Sequence, residues 1–317
     1  MSTPSESGHD RSEPDPSTVI GERRQLVNLA YRLLGSLTEA EDAVQETYTR
    51  WYAMSRHQQE AIASPGAWLT TVASRICLDL LGSARARRER YVGTWIPEPL
   101  PDRMEWISGR AGGGRAEPAD PADWVTLDES VNMAFLVVLE SMTPAERVAF
   151  ILHDVFRYPF AEIAEIVGRT PAACRQLASS GRRRIRAART PAVPAAGQAV
   201  LVRHFKEAWE ARDIETLVGL LDPDATMTAD GGGLVGTVLR PVKGGKSIAQ
   251  YLIHIAGVSA GLMLLERTVN GRPGLVAQQA GVPVTVAAFD VTGGRVNRIW
   301  AVRNPEKLRA WTASGQI

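Results

Sequence analysis

With 317 residues, 44% of them hydrophobic and 22% charged, the chain has the composition of soluble globular material and the length for two or three domains with separate cores. No apolar run approaches the ~20 residues of a membrane span, residues 1–18 lack the apolar middle of a signal peptide, and two cysteines inside helical patterns, Cys77 and Cys174, make no disulfide framework, so a cytoplasmic location is expected. The net charge is +1, and residues 1–196 hold 23 Arg, no Lys and 25 acidic residues, a balance of −2; affinity for nucleic acid has to come from local arrangement.

Residues 1–18 are rich in Ser, Pro, Asp and Glu and read as a disordered tail. A helical bundle is expected over 19–92. Leu26, Val27, Ala30, Tyr31, Leu33 and Leu34 form a broad apolar stripe over 20–34, closed by Gly35 and Ser36. Over 38–54, Val44, Thr47, Tyr48 and Trp51 share one helix face, while Asp42, Gln45, Glu46 and Arg50 share the other, free to bind. The third helix, 65–82, starts at Ser64-Pro65, with Trp68, Val72, Ile76 and Leu80 as its expected buried stripe. It exits through Arg85, Arg87, Arg88 and Arg90, a density of guanidinium that suits phosphate better than a core.

The two blocks DAVQETYTRWY (42–52) and PGAWLTTVASRICLDLL (65–81) resemble region two of the bacterial extracytoplasmic-function (ECF) sigma factors, the small promoter-recognition subunits of RNA polymerase. The resemblance implies two partners. Asp42, Gln45, Glu46 and Arg50 would dock on core polymerase, and the segment from Trp68 through Arg90, with Arg75 and Asp79, would engage and melt the upstream −10 promoter element. Where the family commonly has Ala-Arg-Asn-x-x-x-Asp, this chain has Ala73-Ser74-Arg75 with Asp79 retained. Trp68 and Tyr91 could stack single-stranded bases while the arginines hold the backbone.

The segment 93–123 reads as a linker. Pro97, Pro99 and Pro101 impose an extended course with Trp95 and Ile96 as anchors, and 108–122 reads as a flexible tether. WIPEPL (95–100) resembles the linker signature of ECF sigma factors that carry a fused C-terminal SnoaL-like domain.

Over 124–190 the pattern is helical again. A helix is expected over 124–140, and Thr143-Pro144-Ala145-Glu146 is a capping box with proline at the first helical position. PFAEIAEIVGR reads as the first helix and turn of a helix-turn-helix, with Thr170 capping and Pro171 opening the second helix. Arg175 and Gln176 lie near its start, where a recognition helix reaches base edges, and Arg182, Arg183, Arg184, Arg186 and Arg189 would face phosphate or solvent. This block resembles sigma region four, which would read the −35 element. Gly181 in mid-helix costs ~1 kcal/mol against alanine and predicts fraying.

After the linker at 191–197, all four lysines appear and helix gives way to mixed helix and strand. Helices over 200–212, 214–221 and 247–256, and strands over 225–229, 235–242, 262–269, 274–279, 282–291 and 294–303, make an α+β layout, a curved antiparallel sheet able to enclose a cone-shaped pocket for a small ligand. The region 198–317 resembles a SnoaL-like domain. Asp230-Gly231-Gly232-Gly233 and Asn304-Pro305-Glu306-Lys307-Leu308 resemble motifs of the fused domain in the same sigma factors. A stiff, aromatic-bearing linker beside a pocketed domain without a convincing catalytic set leads to the expectation that the domain acts in place of a separate anti-sigma partner, with Asp230, Gly231, Gly232, Asn304, Pro305 and Lys307 contacting either the linker, at Trp95, Pro97, Glu98 and Pro99, or region two, and setting the spacing of the two DNA-reading domains.

The expected architecture is thus multidomain, two all-α domains followed by an α+β cone. Catalysis has three candidates, Asp230, His254 and Asp290; contact is the better reading of Asp230, a core position of His254 and a hairpin role of Asp290. No glycine loop for nucleotide phosphate and no zinc spacing is present, so neither cofactor nor metal is expected. Two further readings stay open: a one-component repressor that senses a ligand, and a cyclase- or isomerase-type enzyme fused to a helical module.

Overall fold

The computed structural model describes residues 16–88, 91–101, 129–188 and 194–312. Residues 1–15, Arg90, Arg189 and the tether at 108–122 lie outside the described residues, as do the side chains of Arg85, Arg87 and Arg88, whereas residues 16–18, expected in the disordered tail, open the first helix. Among the described residues no helix is long and apolar enough to cross a membrane.

The first domain comprises α1 (Pro16–Leu34), α2 (Leu37–Ala53), the short α3 (Arg56–Glu60) and α4 (Pro65–Arg88). Ser36 caps α2, its hydroxyl accepting from the Glu39 N–H. The expected faces of α2 hold: Val44 and Thr47 are buried, and Asp42, Gln45, Glu46 and Arg50 are exposed. The expected stripe of α4 is displaced. Leu69, Ala73, Ile76, Cys77 and Leu81 form its core face, and Trp68 is half-buried against Trp51, ring centroids 5.2 Å apart. The reason is a second neighbour, because α4 packs on the next domain as well as on α1 and α2.

That next domain has a 3₁₀ turn (Glu129–Val131), α5 (Met133–Leu139), α6 (Pro144–Phe150), a π-helical turn (Ile151–Val155), α7 (Phe160–Val167) and α8 (Pro171–Ala188). Of the helix expected over 124–140, residues 124–128 lie outside the described residues; Glu129–Val131 form a 3₁₀ turn and an α-helix starts at Met133, where the Asn132 side chain accepts from the Phe135 N–H at 2.8 Å. The capping box is present in full, and Gly168 (φ 67°) makes the left-handed turn between α7 and α8.

The two helical domains share one hydrophobic core. Two buried arginines cross between them in opposite directions. Arg32 of α1 donates to the Ser130 hydroxyl at 2.6 Å, and Arg147 of α6 donates to the Leu33 carbonyl at the end of α1 at 2.9 Å, where helix carbonyls need donors.

The third domain has α9 (Ala195–Glu210), α10 (Ile214–Leu220), α11 (Gly245–Val258) and a six-stranded sheet in the order β2-β1-β6-β5-β4-β3. The strands are β1 (Leu221–Asp230), β2 (Val242–Lys243), β3 (Leu262–Val269), β4 (Arg272–Gln279), β5 (Val282–Thr292) and β6 (Arg295–Val302). The α+β layout is as expected, with two differences. The first strand runs parallel to the last, making the sheet mixed, and the strand expected over 235–242 is a loop that reaches the sheet only at Val242 and Lys243.

Alternation along each strand divides the sheet into two apolar faces. One packs on α9, α10 and α11 through Phe205, Trp209, Leu252, Phe289 and Ile299, which occupy the interior of the cone. The other face, with Val269, Val276, Val286, Trp300 and Val302, covers Ile96 and Met133 together with Leu308 and Trp311 of the final turn, a 3₁₀ helix (Pro305–Leu308) leading into α12 (Arg309–Thr312). The outer face of the cone is therefore spent on the linker.

Candidate functional site: the interdomain junction and the nucleic-acid surfaces

The segment from Ile96 to Pro101 is buried along its whole length. Proline spacing keeps it extended, so its backbone groups cannot satisfy each other and must find partners in flanking domains.

Asp230 ends β1, is 1% exposed, and saturates its carboxylate there. Oδ1 accepts from the Tyr91 hydroxyl at 2.7 Å and the Gly232 N–H at 3.0 Å; Oδ2 accepts from the Ile96 N–H at 3.0 Å and Lys307 Nζ at 2.7 Å. Lys307 also donates to the Ile96 carbonyl at 2.5 Å, and its ammonium lies 4.1 Å from the Trp95 ring centroid and 5.2 Å from that of Tyr91. A buried ion pair repays its desolvation only when the remaining hydrogen-bonding capacity is used, and here it is. The backbone carbonyl of Asp230 accepts from the N–H groups of Arg303 and Asn304 at 2.7 and 2.9 Å.

The glycines follow from close approach. A Cβ on Gly232 (φ 65°) would stand 2.4 Å from Asn304 Nδ2, and one on Gly231 would stand 2.5 Å from the Val235 carbonyl. The two motifs DGGG and NPEKL are thus opposite walls of one joint, and the structure brings Asp230, Gly231, Gly232, Asn304, Pro305 and Lys307 together with Trp95 and Ile96.

The other linker residues reach the helical domains. Trp95 packs on Gly35, whose missing Cβ leaves room for the indole. Glu98 is 3% exposed and its Oε2 accepts from the Leu37 N–H at 2.8 Å, so the linker caps the start of α2. Burial pushes the Glu98 carboxyl up, while the Leu37 N–H, the Ser36 hydroxyl and Lys307 draw it partly back. The Pro99 carbonyl accepts from Trp311 Nε1 at 2.8 Å.

Several segments converge on Asn270, whose place before Gly271 is in sequence terms that of a turn. Fully buried at the tip of the β3–β4 hairpin, it donates its N–H to the Leu100 carbonyl at 2.9 Å and accepts from the Leu100 N–H on Oδ1 at 3.0 Å. Its Nδ2 donates to the Tyr31 hydroxyl at 2.9 Å and to the Val131 carbonyl at 3.0 Å. Tyr31 in turn donates to the Glu98 carbonyl at 2.7 Å. One amide therefore ties the third domain to the first domain, the linker and the second domain.

The nucleic-acid candidates divide. Arg175, Gln176 and Arg183 are exposed on α8 and Asp79 is exposed on α4. Arg75 donates to the Glu165 carbonyl at 2.9 Å, so a group expected to face DNA rests against α7. Two expectations are corrected. Arg182 does not face outward but is ion-paired at 2.5 Å with Asp154, whose buried carboxylate requires a cation. Tyr91 is occupied in the joint by Asp230 and Asn304, its hydroxyl receiving Asn304 Nδ2 at 3.0 Å, and is not placed to stack bases.

The catalytic candidates separate as well. Asp230 is consumed by the joint. His254 is exposed rather than a core residue, because the buried stripe of α11 runs through Ile248, Ala249 and Leu252. Asp290 lies opposite Arg298 in the β5–β6 ladder, leading to the Gly293-Gly294 turn. Among the described residues no group of three or more His, Cys, Asp or Glu could hold a metal.

The family model for Sigma-70 region 2 matches residues 20–87, and that for Sigma-70, region 4 matches residues 132–185. The chain is 38% identical over 301 residues to the ECF RNA polymerase sigma factor SigJ of Mycobacterium tuberculosis (strain ATCC 25618 / H37Rv), a match covering 90% of each chain. It is 36% identical over 301 residues to the probable ECF RNA polymerase sigma factor SigI of M. tuberculosis (strain CDC 1551 / Oshkosh), covering 94% of this chain and 96% of that one. The crystal structure of M. tuberculosis SigJ matches with a TM-score of 0.70 at 34% identity, covering 93% of this chain and 98% of that one.

Proposed function

The chain belongs to the ECF family of RNA polymerase sigma factors, and from that membership we propose that it is a promoter-specificity subunit whose DNA-reading regions are held closed by its own C-terminal domain. Sigma factors of this family bind core polymerase and promoter DNA. On this reading the exposed face of α2 with Asp42, Gln45, Glu46 and Arg50 docks on core. Trp68, Arg75, Asp79 and the arginine run ending α4 engage the −10 element, and Arg175, Gln176 and Arg183 on α8 read the −35 element.

The observation that carries the closed-state reading is the burial of the linker from Ile96 to Pro101 under the C-terminal sheet. Two DNA-reading domains that share a core cannot reach two separate promoter elements without parting, and part of the Arg75 guanidinium is engaged by the carbonyl of Glu165. Parting them breaks the bridge in which the Asn270 amide holds Tyr31 of the first domain and Val131 of the second at once. Opening is therefore a step with a free-energy cost that core polymerase, promoter DNA or both must offset.

Run-off transcription with core polymerase tests the reading. The full chain is compared with forms ending after residue 196 and after residue 303, the second of which lacks Lys307 and Trp311. Higher output from both shortened forms is expected, and equal output from all three would remove the proposal.

A further inference from the structure

Tyr52, in the last turn of α2, is 68% exposed, the most exposed large hydrophobic side chain among the described residues. Its ring stacks on that of Tyr48 one turn earlier, centroids 6.2 Å apart and planes at 24°, and Tyr48 is itself half-buried against the core of the helical domains. A ring held by a second ring that the fold already fixes loses little side-chain freedom when a partner covers it. Gln45, Thr49 and Tyr52 follow one another at i, i+4 and i+7 and are all exposed, so the ring continues the edge of the face that carries Asp42, Gln45, Glu46 and Arg50.

The charged residues of that face make a poor anchor by themselves. Glu46 and Arg50 pair with each other at 2.8 Å with their side chains 49% and 54% exposed, and an ion pair in that setting contributes little and is screened by salt. Interfaces concentrate their affinity instead in a few rigid tyrosine, tryptophan and arginine side chains, ringed by polar groups that exclude water. We infer that Tyr52, backed by Tyr48, is the residue that anchors α2 on core polymerase, with Asp42, Gln45, Glu46 and Arg50 as the polar rim around it. The inference rests on the reading of α2 as the core-docking face and adds to that face the side chain in which most of its affinity resides. Glu41, Asp42 and Glu46 against Arg50 leave the rim acidic, so the matching surface on core is an apolar hollow for one aromatic ring, edged with basic side chains.

The test is the affinity of the full chain for purified core polymerase, measured without DNA. Four forms are compared: wild type, Tyr52→Ala, Tyr52→Phe, which keeps the ring, and the double variant Glu46→Gln with Arg50→Gln. Tyr52, Glu46 and Arg50 are all exposed and none belongs to the interdomain joint, so the cost of opening the chain is common to the four and differences in affinity report the interface. Tyr52→Ala is expected to weaken binding by about thirtyfold or more, the scale of an interface hot spot. Tyr52→Phe is expected to stay far closer to wild type than to the alanine form, and the double variant to lose at most about fivefold, the range of an exposed ion pair. The inference is overturned if Tyr52→Ala binds core as wild type does, if Tyr52→Phe loses as much as alanine, or if the double variant loses more than Tyr52→Ala. Wild-type affinity in Tyr52→Ala together with a promoter that no longer opens, read as lost permanganate reactivity of unpaired thymines, would assign the ring to single-stranded DNA and overturn it as well. Failure of the wild-type chain to bind core would instead remove the proposed function, and the anchor with it.

Discussion

At Gly181 local propensity and tertiary packing pull in opposite directions. A glycine in mid-helix costs about 1 kcal/mol relative to alanine, enough to predict fraying, yet α8 runs unbroken from Pro171 to Ala188. The glycine packs directly on Phe150 of α6. A Cβ there would lie 2.9 Å from Cβ of Phe150 and 3.0 Å from its Cγ, atoms of a fully buried residue with no room to retreat. Overpacking of that kind costs about 1–3 kcal/mol, which exceeds the propensity gain. Gly181→Ala is therefore expected to destabilise the protein by up to about 2 kcal/mol in urea unfolding, net of the propensity gain; a stabilised variant would mean that α6 and α8 are not in such contact. The same limit on sequence reading applies to Arg182. The run Arg182-Arg183-Arg184 looks uniformly solvent-facing, and only the fold reveals that Asp154, 1% exposed, claims the first of the three.

Among the elements, those whose signal is local were legible. Thr143 and Glu146 announce the start of α6, and the structure has both halves of the box, the Glu146 N–H on Thr143 Oγ1 and the Thr143 N–H on Glu146 Oε2. What was not legible is the second function of Glu146, whose other oxygen accepts from the Ser180 hydroxyl at 2.7 Å and so joins α6 to α8. Burial alone would raise this carboxyl, but Ser180, the Thr143 N–H and hydroxyl, and Arg184 outweigh it and hold it below the usual value near 4.5. A carboxyl lowered in the folded state contributes stability above its unfolded pKa and loses it as pH falls through the folded value. Glu146→Gln is therefore expected to cost about 1 kcal/mol at pH 7, the size of a cap, with the gap to wild type closing as the pH falls below 4. A gap that stayed constant with pH would show that the charge is not the stabilising agent. The stripe of α4 failed for the converse reason, because periodicity locates one buried face and this helix has two, against its own bundle and against α6 and α7. The strand expected over 235–242 is instead a loop that follows the Gly231-Gly232-Gly233 turn, with the Gly236 carbonyl taken by Arg303 Nη1 and sheet pairing only at its end.

For the whole molecule, the candidate site was legible where motifs carry charge and glycine together, as at Asp230 and Lys307, and hidden at Asn270. Asn270-Gly271 is a complete hairpin signal by itself, with both residues at positive φ, so nothing in the sequence calls for a second role. In the fold that second role is the larger one, because the Asn270 side chain reaches the first domain, the linker and the second domain at once. Asn270→Gly separates the two roles. Glycine adopts φ 51° without strain and keeps the N–H bond to the Leu100 carbonyl, so the hairpin survives while three side-chain bonds vanish. Each such bond contributes about 0.5–1.5 kcal/mol net, which places the loss at about 2–4 kcal/mol. Every 1.4 kcal/mol is tenfold in a population, so the closed form gives up one to three orders of magnitude of its advantage. Amide exchange of Ile96, Glu98 and Leu100 should accelerate accordingly, and on the proposed function run-off transcription with core polymerase should rise with the same start sites, since none of the residues proposed to read DNA has changed. If exchange accelerated while transcription fell, Asn270 would be a support for the active form; if neither moved, the segments would be held together elsewhere, at Asp230 and Lys307.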